Sequence, residues 1–152
     1  MQKIKPCLWF DDRIEEAVKL YTGLFKNSRI LETSHYPDGR VLVITFEIDG
    51  EEVMALNGGP VFKFNEAVSL YVSCEDQAEI DRYWNALTAD GGEESQCGWL
   101  KDKYGLSWQI GPPDSVIRLF SDKDSTKANR AMQAMMQMKK IVIADIEKAH
   151  AG

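Results

Sequence analysis

Residues 5–25, KPCLWFDDRIEEAVKLYTGLF, and residues 67–87, AVSLYVSCEDQAEIDRYWNAL, lie 62 positions apart and carry one pattern twice. In each, apolar residues alternate over a short run and then recur at helical spacing. Leu8 and Phe10 share one face of the first run and Cys7 and Trp9 the other, as a strand requires, and Pro6 places that strand near an edge or an end. Asp12-x-x-Glu15 has the form of a capping box. Ile14, Ala17, Val18, Tyr21, Leu24 and Phe25 then predict a helix over about 13–26, closed by Asn27. In the second stretch Ala67 to Ser73 alternates and Asp76-x-x-Glu79 is another capping box. Ile80, Tyr83, Trp84 and Leu87 give the second helix, ended by Gly91-Gly92. At the common offset Leu8 falls on Leu70, Phe10 on Val72, Val18 on Ile80, Tyr21 on Tyr83 and Phe25 on Leu87.

Three extended segments follow each helix. After the first come Ser28 to Tyr36, the turn Pro37-Asp38-Gly39, the β-branched run Val41 to Ile48, the hairpin signal Asp49-Gly50 and Glu52 to Asn57, ended by Gly58-Gly59-Pro60. After the second come Glu94 to Trp99, Leu100 to Lys103, the turn Lys103-Tyr104-Gly105 and Leu106 to Ile110, ended by Gly111-Pro112-Pro113. The chain is therefore expected to use one β-α-β-β-β unit twice. Beyond it the pattern turns helical: Ser115 to Phe120 is a short candidate, and Ala128, Ala131, Met132, Met135, Met136 and Lys139 share a helical face. Ala144 to Ala149 adds a last turn or two, and the methionine stripe is expected to pack on the domain or on a second subunit. The expected class is α+β: one domain over 1–152, with module one at 1–60, module two at 66–111 and a helical tail at 112–152.

Composition bounds the function. With 152 residues, 44% hydrophobic and 28% charged, the chain fits an ordinary globular domain and excludes disordered and collagen-like classes. Eighteen Lys and Arg against 24 Asp and Glu leave a net charge of -6, the wrong sign for phosphate-backbone binding, so nucleic acid is not an expected partner. Cys7, Cys74 and Cys97 are odd in number and widely spaced, which argues for reduced thiols, a cytoplasmic address and no zinc site. No apolar run approaches the roughly 20 residues of a membrane span, and the polar pair Gln2-Lys3 follows the first methionine, so no membrane or targeting role is expected.

Pro6-Cys7-Leu8-Trp9-Phe10-Asp11, Glu15-Glu16-Ala17 and Tyr21 with Phe25 resemble the opening of the PhnB-like group, often labelled 3-demethylubiquinone-9 3-methyltransferase. Ala55 to Pro60, Ser69 to Val72, Tyr83 to Leu87, Cys97 to Ile110 and the tail from Met132 to Lys140 continue the likeness over nearly the whole chain. That group is a branch of the vicinal-oxygen-chelate superfamily, with glyoxalase I, extradiol dioxygenases and the fosfomycin and bleomycin resistance proteins. The resemblance implies two βαβββ modules forming a curved mixed sheet around a cavity, a homodimer, and a divalent-metal site in the metalloenzyme members. Relatives usually carry a longer glycine-rich connection where this chain has Pro37-Asp38-Gly39, and an aspartate where Val142 stands.

The phase of the first strand turns Lys5, Cys7 and Trp9 toward the cavity, and the second unit turns Ala67, Ser69, Tyr71 and Ser73 the same way. The positions equivalent to the superfamily's metal ligands are then Lys5, Ala67, Gln109 and Asn57. A lysine cation, a methyl group and two amides make a poor donor set, so no metal is expected. His35 and His150 lie apart at a strand end and in a tail expected to fray. No P-loop, nucleophile elbow or G-x-G-x-x-G occurs, and Pro6 to Asp12 has no glycine, which argues against an S-adenosylmethionine site and for no cofactor. The weak catalytic candidates are Cys7 and Lys5, the lysine charge lowering the thiol pKa. Trp9, Trp99, Trp108 and Tyr71 are candidates for an aromatic wall, with at least one of the tryptophans expected to be plain core. Lys101-Asp102-Lys103 reads as a solvated turn, with Lys101 able to reach the cavity. The expected ligand-binding set is Trp9, Asn57, Ser69, Tyr71, Trp99 and Gln109, holding a small organic, partly aromatic ligand; alternatives are a non-catalytic sequestering protein and a glyoxalase-like metalloenzyme.

Overall fold

Leu8 and Phe10 are buried while Cys7 is exposed and Trp9 half-buried, so the first strand, β1 (Cys7–Phe10), has the phase its alternation predicts. The computed structural model describes residues 2–152, which divide after Phe64 into two compact units. In the first unit β1 is followed by α1 (Ile14–Leu24), β2 (Arg29–His35), β3 (Val41–Ile48) and β4 (Glu51–Asn57). The sheet order is β1-β4-β3-β2, with β1 parallel to β4 and the other pairs antiparallel. Leu8, Ala55 and Ile44 stand in one row across three strands, all buried, and Phe10, Val53 and Phe46 add to that face. Against it α1 packs Ile14, Ala17, Val18 and Tyr21, each exposed by no more than 1%, and the Tyr21 ring stacks on Phe46 at 6.5 Å. Each large side chain so buried contributes about 1.5–3 kcal/mol. Between β2 and β3 the Tyr36 amide donates to the Arg40 carbonyl (2.8 Å), closing a tight turn over Pro37-Asp38-Gly39.

The first capping box does not form. Arg13, in the left-handed region at φ 71°, occupies the position before α1, and no side chain within the box caps the helix. Asn57 does so from the end of β4: its Oδ1 accepts from the Ile14 amide (3.2 Å) and its Nδ2 donates to the Val41 carbonyl (3.0 Å). Asn57→Ala is expected to lower stability by about 1–3 kcal/mol in urea unfolding, because it leaves a helix-end N–H and a strand carbonyl without these partners.

The second unit repeats the order as β5 (Ser69–Ser73), α2 (Gln77–Thr88), β6 (Glu93–Glu94), β7 (Trp99–Lys101) and β8 (Ser107–Gly111), in sheet order β5-β8-β7-β6. Here the capping residue is the expected one: Asp76 Oδ1 accepts from the Glu79 amide at 2.8 Å, while the Glu79 carboxylate accepts from the Glu75 amide. Ile80, Tyr83, Trp84 and Leu87 of α2 are buried, as are Leu100, Trp108 and Ile110 of the sheet. Two β-α-β-β-β units, each with its own four-stranded mixed sheet, make the α+β fold anticipated from the duplication.

Asp102 corrects the solvated-turn reading. It is 3% exposed, and its carboxylate accepts from the Tyr104 and Leu106 amides (2.9 and 3.1 Å) and from Trp108 Nε1 (2.9 Å). The flanking lysines made it look solvated; the turn instead folds its central carboxylate inward over three donors.

The rest of the second unit is helical: α3 (Asp114–Ile117), a 3-10 turn at Arg118–Ser121, α4 (Ser125–Met136) and α5 (Ile143–Ala151). Ala128 and Ala131 form the buried side of α4, while Met132 and Met135 are half-buried and Met136 is exposed. Val142 supplies no side-chain cap to α5. Gln77 of α2 replaces it, its Oε1 accepting from the Ile143 amide and its Nε2 donating to the Ile141 carbonyl, both at 2.9 Å. The Cys97 and Gly98 amides donate to the Met138 and Lys139 carbonyls, at 2.8 and 2.7 Å, and so tie the segment between α4 and α5 to the sheet.

His150 was expected to fray without a partner, and it does not. Its Nε2 lies 2.7 Å from Asp122 Oδ2, and Arg130 donates to the Ala149 and His150 carbonyls at 2.8 and 2.9 Å. The Asp124 amide and then the His150 ring hold the Asp122 carboxyl below its usual range. A carboxylate depressed in the folded state stabilises above the unfolded value, near pH 4, and that contribution is lost as pH falls through the lower folded value. Hydrogen exchange at α5 is therefore expected to lose protection on going from pH 6 to pH 3, with a smaller loss in Asp122→Asn.

Candidate functional site

The alternation that buries Trp108 and Ile110 against α2 turns Ser107, Gln109 and Gly111 to the opposite face of the second sheet. Register then assembles that face. Tyr71, Gln109 and Trp99 stand side by side on β5, β8 and β7, and the neighbouring row is Ser69, Ser107, Lys101 and Glu93 across all four strands. Gln109 Nε2 donates to Ser69 Oγ at 2.9 Å, linking the two rows. Tyr71 is 52% exposed, and its ring lies over Gly111 so closely that a Cβ there would sit 2.1 Å from Oη. Glycine at 111 is what leaves room for the phenol. Ser69, Tyr71, Trp99 and Gln109 of the predicted ligand set thus share one face.

A cavity of about 130 Å³ opens along the row of Ser107, Lys101 and Glu93, walled also by Glu66, Ser95 and Trp99. Lys101 Nζ meets Glu66 Oε1 at 2.5 Å, and that hydrogen bond holds the Glu66 carboxyl below its usual range and raises the lysine. Ser107 is fully buried, and its Oγ has no hydrogen-bond partner among the described residues. Sequence reasoning passed over Ser107 and Glu66, although Ser107 keeps strict period-two phase with Gln109.

The other predicted positions lie in the first unit. Trp9 Nε1 donates to the Gly59 carbonyl at 2.8 Å and Phe62 packs edge-on to its ring at 5.0 Å. A Cβ on Gly58 would stand 2.4 Å from that indole, so the Gly58-Gly59 pair forms the bed on which Trp9 lies. Asn57 is set apart from the second-sheet face: it pairs with Phe10 on the helix side of its own sheet, both ends of its amide serve α1 and β3, and it borders a different cavity, in the first unit. Trp108 is likewise core, 1% exposed and bonded to Asp102, and is no part of an aromatic wall. The expected activation of Cys7 by Lys5 is also corrected: the Lys5 ammonium pairs with Glu52, and burial pushes the Cys7 thiol up. Cys74, fully enclosed beneath α2, is pushed up to about 12, chiefly by burial. A second cavity of about 620 Å³ is lined by Asp12, Arg13, Tyr36, Arg40 and Gly59. Its cations are committed, Arg13 to Glu16 (2.6 Å) and Arg40 to Asp38 (2.8 Å).

The donor set does not suit a divalent metal. Lys5 is ion-paired, Ala67 has no donor atom, the Gln109 amide nitrogen is held by Ser69, and Asn57 faces the wrong side of its sheet. Among the described residues no three His, Cys, Asp or Glu side chains converge on a common point suited to a metal. No helix among them is long and apolar enough to cross a membrane.

The profile of the family described as 3-demethylubiquinone-9 3-methyltransferase matches residues 2–111, leaving α3, α4 and α5 outside the match. A Bacillus cereus PhnB protein, described as a 3-demethylubiquinone-9 3-methyltransferase, is 36% identical, with 73% of this chain and 99% of that chain covered and a TM-score of 0.68. A Pseudomonas aeruginosa protein superposes with a TM-score of 0.60 at 18% identity, covering 74% and 98% of the two chains. The Listeria monocytogenes fosfomycin resistance protein FosX, in a structure with manganese(II) and sulfate, reaches 0.54 at 16% identity, covering 71% and 90%. These last two likenesses are of fold. No curated protein is significantly similar to the chain.

Proposed function

We propose a reading for a chain that belongs to the 3-demethylubiquinone-9 3-methyltransferase (PhnB-like) family of the glyoxalase and bleomycin-resistance superfamily: its second sheet binds a small, flat organic ligand without a metal. The observation that carries it is the row of Tyr71, Gln109 and Trp99 across three strands, two aromatic surfaces flanking an amide. Such a row supplies apolar area at low entropy cost, and the amide fixes orientation. With Gln109 Nε2 given to Ser69, the Ser69 hydroxyl proton and the Gln109 carbonyl oxygen face the ligand.

A methyl transfer from S-adenosylmethionine is not part of this reading. The turn after β1 carries Asp11, Asp12 and Arg13 rather than glycine, and the first amide of α1 is already taken by Asn57. Titration with 2-naphthol and quinoline, followed by amide NMR, is expected to shift Ser69, Tyr71, Trp99 and Gln109. Tyr71→Ala is expected to weaken that binding about tenfold. Shifts confined to the first unit, or a tight complex with S-adenosylmethionine, would overturn the reading.

The reading also takes the chain as a homodimer. Support comes from β2, a seven-residue edge strand exposed along its whole length that presents Ile30 and Leu31. Light scattering is expected to return twice the 17.2 kDa chain mass.

A further inference from the structure

We infer that the cavity beside Ser107 receives a primary ammonium group on a short alkyl stem, so that the ligand of the second sheet is an amine. The inference rests on the reading of that sheet as a ligand site and names the ligand's charged end.

Charge decides the sign. Of the groups that wall the cavity, Lys101 is ion-paired with Glu66 at 2.5 Å and faces Glu93 across the strands as well, so two carboxylates share one lysine. Glu94, whose residue borders the same space, directs one carboxylate oxygen to Trp84 Nε1 (2.9 Å) and the other toward Lys139 (3.9 Å). The lining therefore keeps one negative charge in excess. An acidic group alone would describe any solvated edge. The second observation is Ser107, which lies on the same face, borders the cavity, and holds a buried hydroxyl without a hydrogen-bond partner among the described residues. Orphaned buried hydroxyls cost free energy, and a donor entering from the cavity removes that cost.

Size and shape narrow the class. About 130 Å³ equals the liquid volume of roughly four waters, enough for an ammonium and two or three carbons. An ammonium brings three N–H donors and no acceptor, matching a carboxylate and a hydroxyl that both accept. Trp99 borders the cavity and also belongs to the aromatic row, so its indole supplies a π surface for the cation and a bridge to the flat part of the ligand.

Ethylammonium chloride, sodium acetate and 2-naphthol, each titrated into the whole protein at fixed ionic strength and followed by amide NMR, separate the outcomes. Ethylammonium is expected to shift Glu93, Trp99, Lys101 and Ser107 saturably, and acetate to leave them in place. Glu93→Gln is expected to weaken ethylammonium about tenfold and Ser107→Ala severalfold. Acetate binding at those amides, or no saturable shift with ethylammonium, overturns the inference. If 2-naphthol still binds in that case, the ligand face stands without its amine; if ethylammonium binds and 2-naphthol does not, the cavity stands and the flat-ligand reading falls.

Discussion

Asp102→Ala is expected to cost about 3–5 kcal/mol, a large part of the 5–15 kcal/mol that a domain has in total. The carboxylate accepts from two backbone amides and one indole, all within 3.1 Å, in a turn where Asp102 itself is 3% exposed. Alanine removes all three acceptor contacts at once and offers water little access to replace them. Urea unfolding should show the midpoint falling with little change in slope, and the Trp108 indole proton should lose its protection from exchange. Asp102→Asn keeps one carbonyl acceptor but sets an NH2 among donors, so an intermediate loss is expected. Trp108→Phe removes one donor together with the acceptor's need for it, and should cost less than Asp102→Ala. A loss under about 1 kcal/mol for Asp102→Ala would mean the turn is not held by this carboxylate.

Gly98→Ala is the second large effect. Gly98 has φ +84°, and a Cβ there would lie 2.8 Å from the Ile110 carbonyl oxygen and 3.2 Å from Ile141 Cγ1. Neither neighbour is the end of a flexible polar chain: one is strand backbone, the other a buried side chain. Left-handed strain and the clash together are expected to cost about 2–4 kcal/mol. The Gly98 amide also holds the Lys139 carbonyl at 2.7 Å, so the segment between α4 and α5 should loosen. Limited trypsin digestion is expected to cut after Lys139 and Lys140 sooner in the variant. Gly105→Ala is the matched control: φ is +86° but the added Cβ meets nothing within 4 Å, so only the backbone penalty of about 1 kcal/mol applies.

What the sequence alone makes legible in this fold divides along a physical line. Strand phase was legible because period two leaves only two choices, and burying Leu8 with Phe10 decides between them for the whole strand. The same logic, applied to the second unit, brought Ser69, Tyr71, Gln109 and Trp99 onto one face, since register propagates across neighbouring strands. Groups whose partners are distant in sequence were misread. Asp12 has the local form of a cap, yet Asn57 does the capping, and nothing in a four-residue window tells the two apart. Asp102 sits between two lysines and reads as solvated, but its donors are residues 104, 106 and 108, and only the turn geometry brings them to one carboxylate. His150 failed for the same reason, its partner Asp122 lying 28 residues earlier. The cavity beside Ser107 depends on which cations are already paired, and pairing is a property of the folded chain.

The two amide side chains that cap α1 and α5 have a consequence for the order in which the chain folds. The Ile14 amide waits for a residue 43 positions ahead, and the Ile143 amide for one 66 positions behind. Neither helix can complete its first turn's hydrogen bonding from its own segment. α1 matures only when β4, the last strand of its unit, has docked, and α5 only against a finished α2. Long-range closure of this kind is entropically slow, so both helices belong to the late side of the folding barrier. The cap of α1 is complete only with the chain through Asn57 in place, which ties that helix to the last strand of its unit rather than to its own segment.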